Sequence, residues 1–201
     1  AKRFTVNGDT SAATIALDGN AAANVRAFHQ TLATTTDLRL LTAFWTSPTR
    51  MVAYLPHMYF FAIPMSMGDC LASLGNLTEA EETYRSVFGY PFINARVEVV
   101  KLWTRLARVY LDQGDAAYRN AKDNAAAYAG ARASYERIVL GNRTLNPASP
   151  LYQDAKFAAL RTRVAAFLAA ADPMTVSENP AITSIVLEAL SRLGQIAAGL
   201  N

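Results

Sequence analysis

The chain has 201 residues, of which 52% are hydrophobic and 17% are charged. This length accommodates one domain or two small ones with a real core, and the composition excludes a disordered chain. The net charge of +3 is too small to indicate a nucleic-acid partner. The most apolar stretch, residues 51–65, is too short to cross a membrane and contains Pro56 and Pro64. We therefore expect no membrane span, and interpret this stretch as a buried helical corner.

The first residues differ from the rest of the chain. Short runs of residues typical of β-strands surround Asn7-Gly8, a dipeptide that strongly favours a tight turn. We therefore expect residues 1–19 to form an N-terminal extension, and a β-hairpin is its candidate structure. No apolar run follows the basic start, and this chain therefore shows no signal peptide. The absence of an initial Met leads us to expect a processed product or a piece of a larger protein. The localisation stays unknown.

Abundant Ala and few Gly and Pro favour helix over the remainder of the chain. Asn20 is a candidate cap for a helix that ends near Leu32, with Phe28 and Leu32 on one face. A second helix is predicted over 36–45. A third begins at Ser47-Pro48 and ends at Pro56, because proline removes a backbone donor. We expect residues 20–201 to form a single helical domain.

A helical hairpin is predicted between His57 and Phe88. A small residue at Gly68 lets the facing helix approach closely, and Gly75 can adopt the left-handed conformation that ends a helix. Ala80 lies one turn from Tyr84, so both face the first helix, and we expect Gly68 and Ala80 to meet at the closest approach. Eight residues carry this small and apolar pattern: Met67, Gly68, Leu71, Gly75, Leu77, Ala80, Tyr84 and Val87.

The next segment repeats this pattern. Five residues of the second hairpin match Pro64, Met67, Gly68, Leu71 and Gly75 in spacing: Trp103, Leu106, Ala107, Tyr110 and Gly114. Three more match Ala80, Tyr84 and Val87 once residues 115–126 are set aside as an insertion: Ala131, Tyr135 and Ile138. We expect the insertion to lengthen the loop or the second helix, and expect Trp103 and Tyr110 to be buried between hairpins.

Over residues 57–140 the pattern resembles the tetratricopeptide (TPR) repeat, a helix–turn–helix unit that stacks on its neighbours. The resemblance implies a mainly α fold, a right-handed stack of antiparallel helical hairpins that forms a TPR-like superhelix. Two further helices are predicted, over 152–170 and 180–198, each with apolar residues at helical spacing. They would form a third hairpin, a C-terminal helical cap over residues 151–200.

A second resemblance concerns the segment from Gly114 to Arg119 together with Asp123, Tyr135 and Leu140-Gly141. It is similar to a helical segment in the large A subunits of bacterial Tc-type insecticidal toxins. In those proteins a glycine–aspartate–tyrosine–arginine turn joins two long helices. This resemblance implies that the chain is a structural helical segment of a large bacterial toxin-like or secreted assembly.

No motif indicates catalysis or a cofactor. His29 and His57 have no metal-ligand spacing with each other or with Cys70, and no glycine-rich phosphate loop occurs. We expect His29 to be solvated or half-buried, His57 to cap or pack, and Cys70 to be a small core residue. The acidic run at 79–82 fits the first turn of a helix, where Thr78 and Glu81 would form a capping box. An enzyme without a recognisable motif remains one alternative, but we expect no enzyme.

One basic stripe is a candidate binding site. Lys101, Arg105 and Arg108 share one face of a predicted helix, away from the apolar face that contains Trp103. In a TPR-like stack, the resemblance places this stripe in the concave groove. Arginine binds carboxylates through two hydrogen bonds, which suits an acidic segment. The sequence therefore predicts a non-catalytic module that binds a protein or peptide, with an acidic partner as the candidate. A solvated basic face is the alternative, and the oligomeric state stays open.

Overall fold

The computed structural model describes residues 19–37, 54–121, 125–170 and 179–199. Within these ranges the chain forms eight α-helices linked by short 3-10 and π turns, and no β-strand. The predicted mainly α fold is therefore confirmed. The chain divides into two compact units, residues 1–56 and residues 57–201. No helix in the described part of the chain is long and apolar enough to span a membrane.

The first unit contains one described helix, α1 (Gly19–Thr34), which agrees with the predicted helix between Asn20 and Leu32. Leu32 is buried. The predicted β-hairpin before Gly19 lies outside the described residues, and so do most of the two short helices predicted between Thr36 and Pro56.

The second unit contains the other helices of the described ranges. A π-helical turn, Met58–Ala62, leads into the first of them. The bounds are α2 (Ile63–Ser73), α3 (Leu77–Ser86), α4 (Glu98–Arg119), α5 (Ala125–Glu136), α6 (Pro150–Gln153), α7 (Ala158–Ala169) and α8 (Pro180–Ala197).

Two pairs of consecutive helices form hairpins. Helix α2 packs along α3, and α4 packs along α5. Gly75 turns the chain between α2 and α3 with a φ of 81°, a conformation that glycine adopts without strain. The first residues of the insertion, from Asp115 to Arg119, were expected to lengthen the loop or the second helix, and instead extend α4. They lengthen the first helix of the second hairpin because Ala, Tyr and Arg are all compatible with helix.

A tyrosine ring covers a glycine in each hairpin. A Cβ atom on Gly68 would lie 2.4 Å from Cε1 of Tyr84, and one on Gly114 would lie 2.3 Å from Cε1 of Tyr135. The three heavy atoms nearest to a Cβ on Gly68 therefore all belong to Tyr84. The close approach of Gly68 and Ala80 stays a prediction. The equivalent of Gly68 is Gly114, and not Ala107 as the predicted register had it.

The hairpins pack against one another in order. Helix α4 lies on α3 and α2, and α8 lies on α5 and α4. Helix α8 therefore follows the second hairpin in the same way that α4 follows the first. The predicted pairing of the last two helices as a third hairpin does not describe the main neighbours of α8, which are α5 and α4.

The core of the second unit lies between these helices. Trp103 and Tyr110 are fully buried, as predicted, and so are Tyr84 and Tyr135. Leu160, Val164 and Phe167 of α7 are also buried, in line with the apolar spacing of the predicted helix over 152–170. The described part of the stretch 51–65 is only partly the buried corner that its composition suggests. Phe61 and Met65 are buried, whereas Tyr59, Phe60 and Ile63 are exposed.

We expect Gly68→Ala and Gly114→Ala each to destabilise the protein by roughly 1–3 kcal/mol, since the added methyl group collides with a buried ring. Gly130→Ala is the matched control, because Gly130 lies in helix α5 with open space around it. The control should be neutral or stabilising by up to about 1 kcal/mol through helix propensity. Urea unfolding of the three variants measures the difference. Equal stabilities for all three would show that the rings do not rest on the glycines.

Candidate functional site

The first contact set joins the first hairpin to helix α4. The ring of Tyr84 lies over Gly68, so its hydroxyl reaches the next residue of α2 and donates to Oδ1 of Asp69 at 2.6 Å. The same oxygen lies 2.7 Å from Nε of Arg105, which is on α4. One carboxylate therefore ties the two helices of its hairpin together and also holds the first helix of the next one.

The second contact set repeats the first one. Tyr135 lies over Gly114, and its hydroxyl donates to Oδ1 of Asp115 at 2.6 Å. Nε of Arg192, on α8, donates to the same oxygen at 3.1 Å. Because the residue types and the bonded atoms agree, α8 occupies a position equivalent to that of α4.

These bonds change the acid–base properties of the tyrosines. Burial raises the pKa of Tyr84 and of Tyr135 well above the ordinary value, and the hydrogen bond to an aspartate adds to the effect. The bond to Asp115 also raises the pKa of Arg192. Both tyrosines therefore stay protonated and act as hydrogen-bond donors over the physiological range.

A third network is centred on Glu81 of α3. Its carboxylate accepts hydrogen bonds from the Tyr110 hydroxyl at 3.1 Å, from Nε2 of Gln113 at 3.2 Å and from Nη1 of Arg137 at 3.2 Å. Glu81 therefore links α3 to α4 and to the end of α5. The predicted capping box is wrong, since Asn76 is the cap residue of α3 and makes no side-chain capping bond.

The predicted basic stripe lies beside a charged groove. Arg105 and Arg108 line a groove of about 300 Å³ together with Asp69 and Asp112. Arg108 donates to Glu188 of α8 at 3.3 Å, just as Arg105 is bound to Asp69. Each guanidinium remains about half exposed. The structure thus places two of the three predicted site residues in one groove, and pairs both with carboxylates of neighbouring helices.

The remaining residues at this surface differ in character. Lys101 is exposed on α4, one turn before Arg105. Burial raises the pKa of Asp112 above its ordinary value, against the attraction of Arg108. The groove therefore presents both signs of charge, and not the uniformly basic face that the sequence predicts.

A buried pair supports the start of α4. Nε2 of His57 lies 2.6 Å from Oε1 of Glu98, whose other oxygen accepts a bond from the backbone N–H of Asn94 at 2.8 Å. The Asn94 side chain accepts in return from the N–H groups of Arg96 and Val97. These bonds hold together the turn that leads into α4. His57 packs against Phe61 and Tyr90 as well, in line with its predicted capping or packing role.

Two predictions about reactive residues are wrong. Cys70 is exposed and is not a core residue, because it lies on the outer face of α2. His29 is 2% exposed and not solvated, with its ring edge-on to Phe28. Among the described residues, no group of three or more His, Cys, Asp or Glu side chains could hold a metal ion.

Apolar spacing alone does not identify these contact sets. Both sets contain the dipeptide Gly-Asp, at Gly68-Asp69 and at Gly114-Asp115, and each is followed by an Ala and a Tyr one helical turn apart. Alignment on this dipeptide gives the register that the structure shows.

Comparison of the chain with protein-family models finds no match. Comparison with curated proteins and with solved structures finds none either.

We expect stability to fall in alkali. A tyrosine whose pKa is higher in the folded than in the unfolded protein stabilises the fold. This stabilisation is complete below the pKa of the unfolded chain, about 10. Above that pH it is lost by about 1.4 kcal/mol per pH unit for each tyrosine. The double variant Tyr84→Phe/Tyr135→Phe lacks two such groups. Its free energy of unfolding should therefore fall less steeply above roughly pH 10 than that of the unmodified protein. Urea unfolding at a series of alkaline pH values gives both slopes, and identical slopes would contradict the bonding described for these tyrosines.

Proposed function

We propose that this protein is a non-catalytic protein-interaction module built from TPR-like helical hairpins. The observation that carries the proposal is the recurrence of one contact set at two successive positions. A glycine admits a tyrosine ring, the adjacent aspartate binds its hydroxyl, and an arginine of the following helix binds that aspartate. Equivalent contacts at equivalent positions are what a stack of repeated units requires.

Such stacking brings the first helix of each unit to a common surface. Side chains from α2, α4 and α8 meet along it, in the Arg105–Asp69 and Arg108–Glu188 pairs. Repeat proteins bind other chains on extended surfaces of this kind. We assign the partner to the groove between α2 and α4, which is lined by these polar and charged side chains.

The proposed partner is a protein or peptide segment that carries acidic residues. Lys101, Arg105 and Arg108 supply the cations. Both arginines are about half exposed, and a guanidinium has five N–H donors, so each can bind a second acceptor. An incoming carboxylate shares these donors with Asp69 or Glu188. The gain is therefore small, about 0.2–1 kcal/mol for each exposed pair, and other contacts must supply most of the affinity.

A second candidate function is that of a structural helical segment in a larger assembly. The exposed apolar side chains of the π turn and α2 favour it, because contiguous apolar patches on a protein surface mark interaction sites. The residues concerned are Tyr59, Phe60, Ile63, Met67 and Leu74. This candidate predicts binding at the apolar surface and none at the charged groove.

The test is binding of a fluorescent oligoglutamate peptide, followed by fluorescence anisotropy at low and high salt. The double variant Lys101→Glu/Arg108→Glu reverses one charge that lines the groove, at Arg108, and one on the same helix one turn before Arg105, at Lys101. It leaves Arg105 to hold Asp69. We expect it to weaken binding several-fold, and expect salt to weaken binding of the unmodified protein, because exposed ion pairs are screened.

The control is Arg132→Glu/Arg163→Glu, which makes the same change in net charge on α5 and α7. It should bind the peptide like the unmodified protein. Equal losses in both double variants would mean that only net charge matters. No loss in the groove variant would leave the assembly candidate alone.

A further inference from the structure

The groove between α2 and α4 contains one carboxylate that no ion pair neutralises. Four charged side chains line this groove in the part of the chain that the structure describes. Asp69 and Arg105 bind one another. Arg108 binds Glu188 of α8. Asp112 is the fourth, and among the described residues its carboxylate accepts no hydrogen bond and joins no ion pair.

The direction of Arg108 explains why Asp112 has no partner. Arg108 precedes Asp112 by four residues on α4, the spacing at which side chains of opposite charge can pair. Its guanidinium extends instead to Oε2 of Glu188, at 3.3 Å. Burial raises the pKa of the Asp112 carboxyl above its ordinary value, although Arg108 attracts the charged form. The carboxylate is therefore partly desolvated without a contact that compensates for it, and an added cation would stabilise it.

The groove therefore has donors for an anion and, beside them, an acceptor for a cation. Both arginines have N–H groups left for an incoming carboxylate, whereas an ionised aspartate such as Asp112 can only accept hydrogen bonds. Asp112 lies about 6 Å beyond Arg108 along α4, at a rise of about 1.5 Å per residue. Two residues of an extended chain span about 6–7 Å. A single peptide segment can thus contact both side chains.

We propose that the partner segment carries a lysine or arginine next to its acidic residues, and that this cation binds Asp112 while a neighbouring carboxylate binds Arg108. The inference rests on the proposed function, because it concerns the same groove and narrows the class of segment that fits it. A purely acidic segment would bring negative charge close to Asp112, and like charges repel. A segment with both signs meets complementary charge along the groove, which gives selectivity.

The test compares the binding of two fluorescent peptides by anisotropy. One peptide has six glutamates flanked on each side by two lysines, so that either direction of binding can bring a lysine to Asp112. The other has glutamines in place of the lysines. We expect the lysine-flanked peptide to bind the unmodified protein several-fold more tightly, although its negative charge is smaller. Attraction to the net positive charge of the protein alone predicts the opposite order.

Asp112→Asn is the decisive variant. It should weaken binding of the lysine-flanked peptide several-fold and tighten binding of the glutamine-flanked peptide, because a like charge is removed. Urea unfolding should show no loss of stability, since the described residues lose no hydrogen bond or ion pair. The control is Glu82→Gln, which removes a carboxylate from an exposed position of α3 outside the groove lining. It should leave the ratio of the two affinities unchanged.

The outcomes separate this inference from the proposed function. Absence of binding by both peptides overturns the proposed function and this inference with it. Binding of the glutamine-flanked peptide at least as tight as that of the lysine-flanked peptide overturns only this inference. An Asp112→Asn variant that still prefers the lysine-flanked peptide also overturns it, because the lysines would then bind elsewhere.

Discussion

The close approach of a tyrosine ring to a helix glycine is the contact on which the second unit depends. Absence of a Cβ atom at Gly68 and Gly114 gives each ring its space. The position of the ring then brings its hydroxyl to the neighbouring aspartate, and the aspartate binds an arginine of the next helix. One steric feature thus sets the distance within a hairpin and also the position of the following helix. Burial and hydrogen bonding raise the pKa of both phenols, so they remain hydrogen-bond donors near neutral pH.

Stacking and the candidate groove use the same side chains. Arg105 holds Asp69 in the stack and also lines the groove, and Arg108 does both through Glu188. A cation that already has an internal carboxylate gains little from an external one in a solvated groove. For the proposed acidic partner, the electrostatic contribution of this surface would therefore be in selectivity and salt dependence, whereas affinity would have to come from apolar contacts and backbone hydrogen bonds. A substitution at Arg105 would therefore change the lining of the groove and remove the contact with Asp69 at the same time.

Because α2 and α4 occupy equivalent positions in successive hairpins, the exposure of their corresponding residues can be compared. Leu106 and Val109 of α4 are buried, whereas Ile63 and Met67 of α2 are about half exposed. In a repeat architecture, burial is decided by the neighbours that a unit has, and not by the composition of the unit itself.

The sequence by itself determined the helical class, the hairpin between His57 and Phe88, and the burial of Trp103 and Tyr110, because apolar periodicity and helix-ending glycines are local signals. Apolar periodicity did not determine the register, since Ala107 and Gly114 lie two turns apart on the same helix face and periodicity cannot distinguish them. The tertiary structure showed that Gly114, followed like Gly68 by an aspartate, is the equivalent position. The sequence could not predict that Arg105 and Arg108 pair with carboxylates, because the partners, Asp69 and Glu188, lie on other helices. The local sequence also predicted a capping role for Glu81, but in the folded protein its carboxylate binds three side chains from α4 and the end of α5. Local pattern determines which face of a helix is apolar, and tertiary packing determines what each face meets.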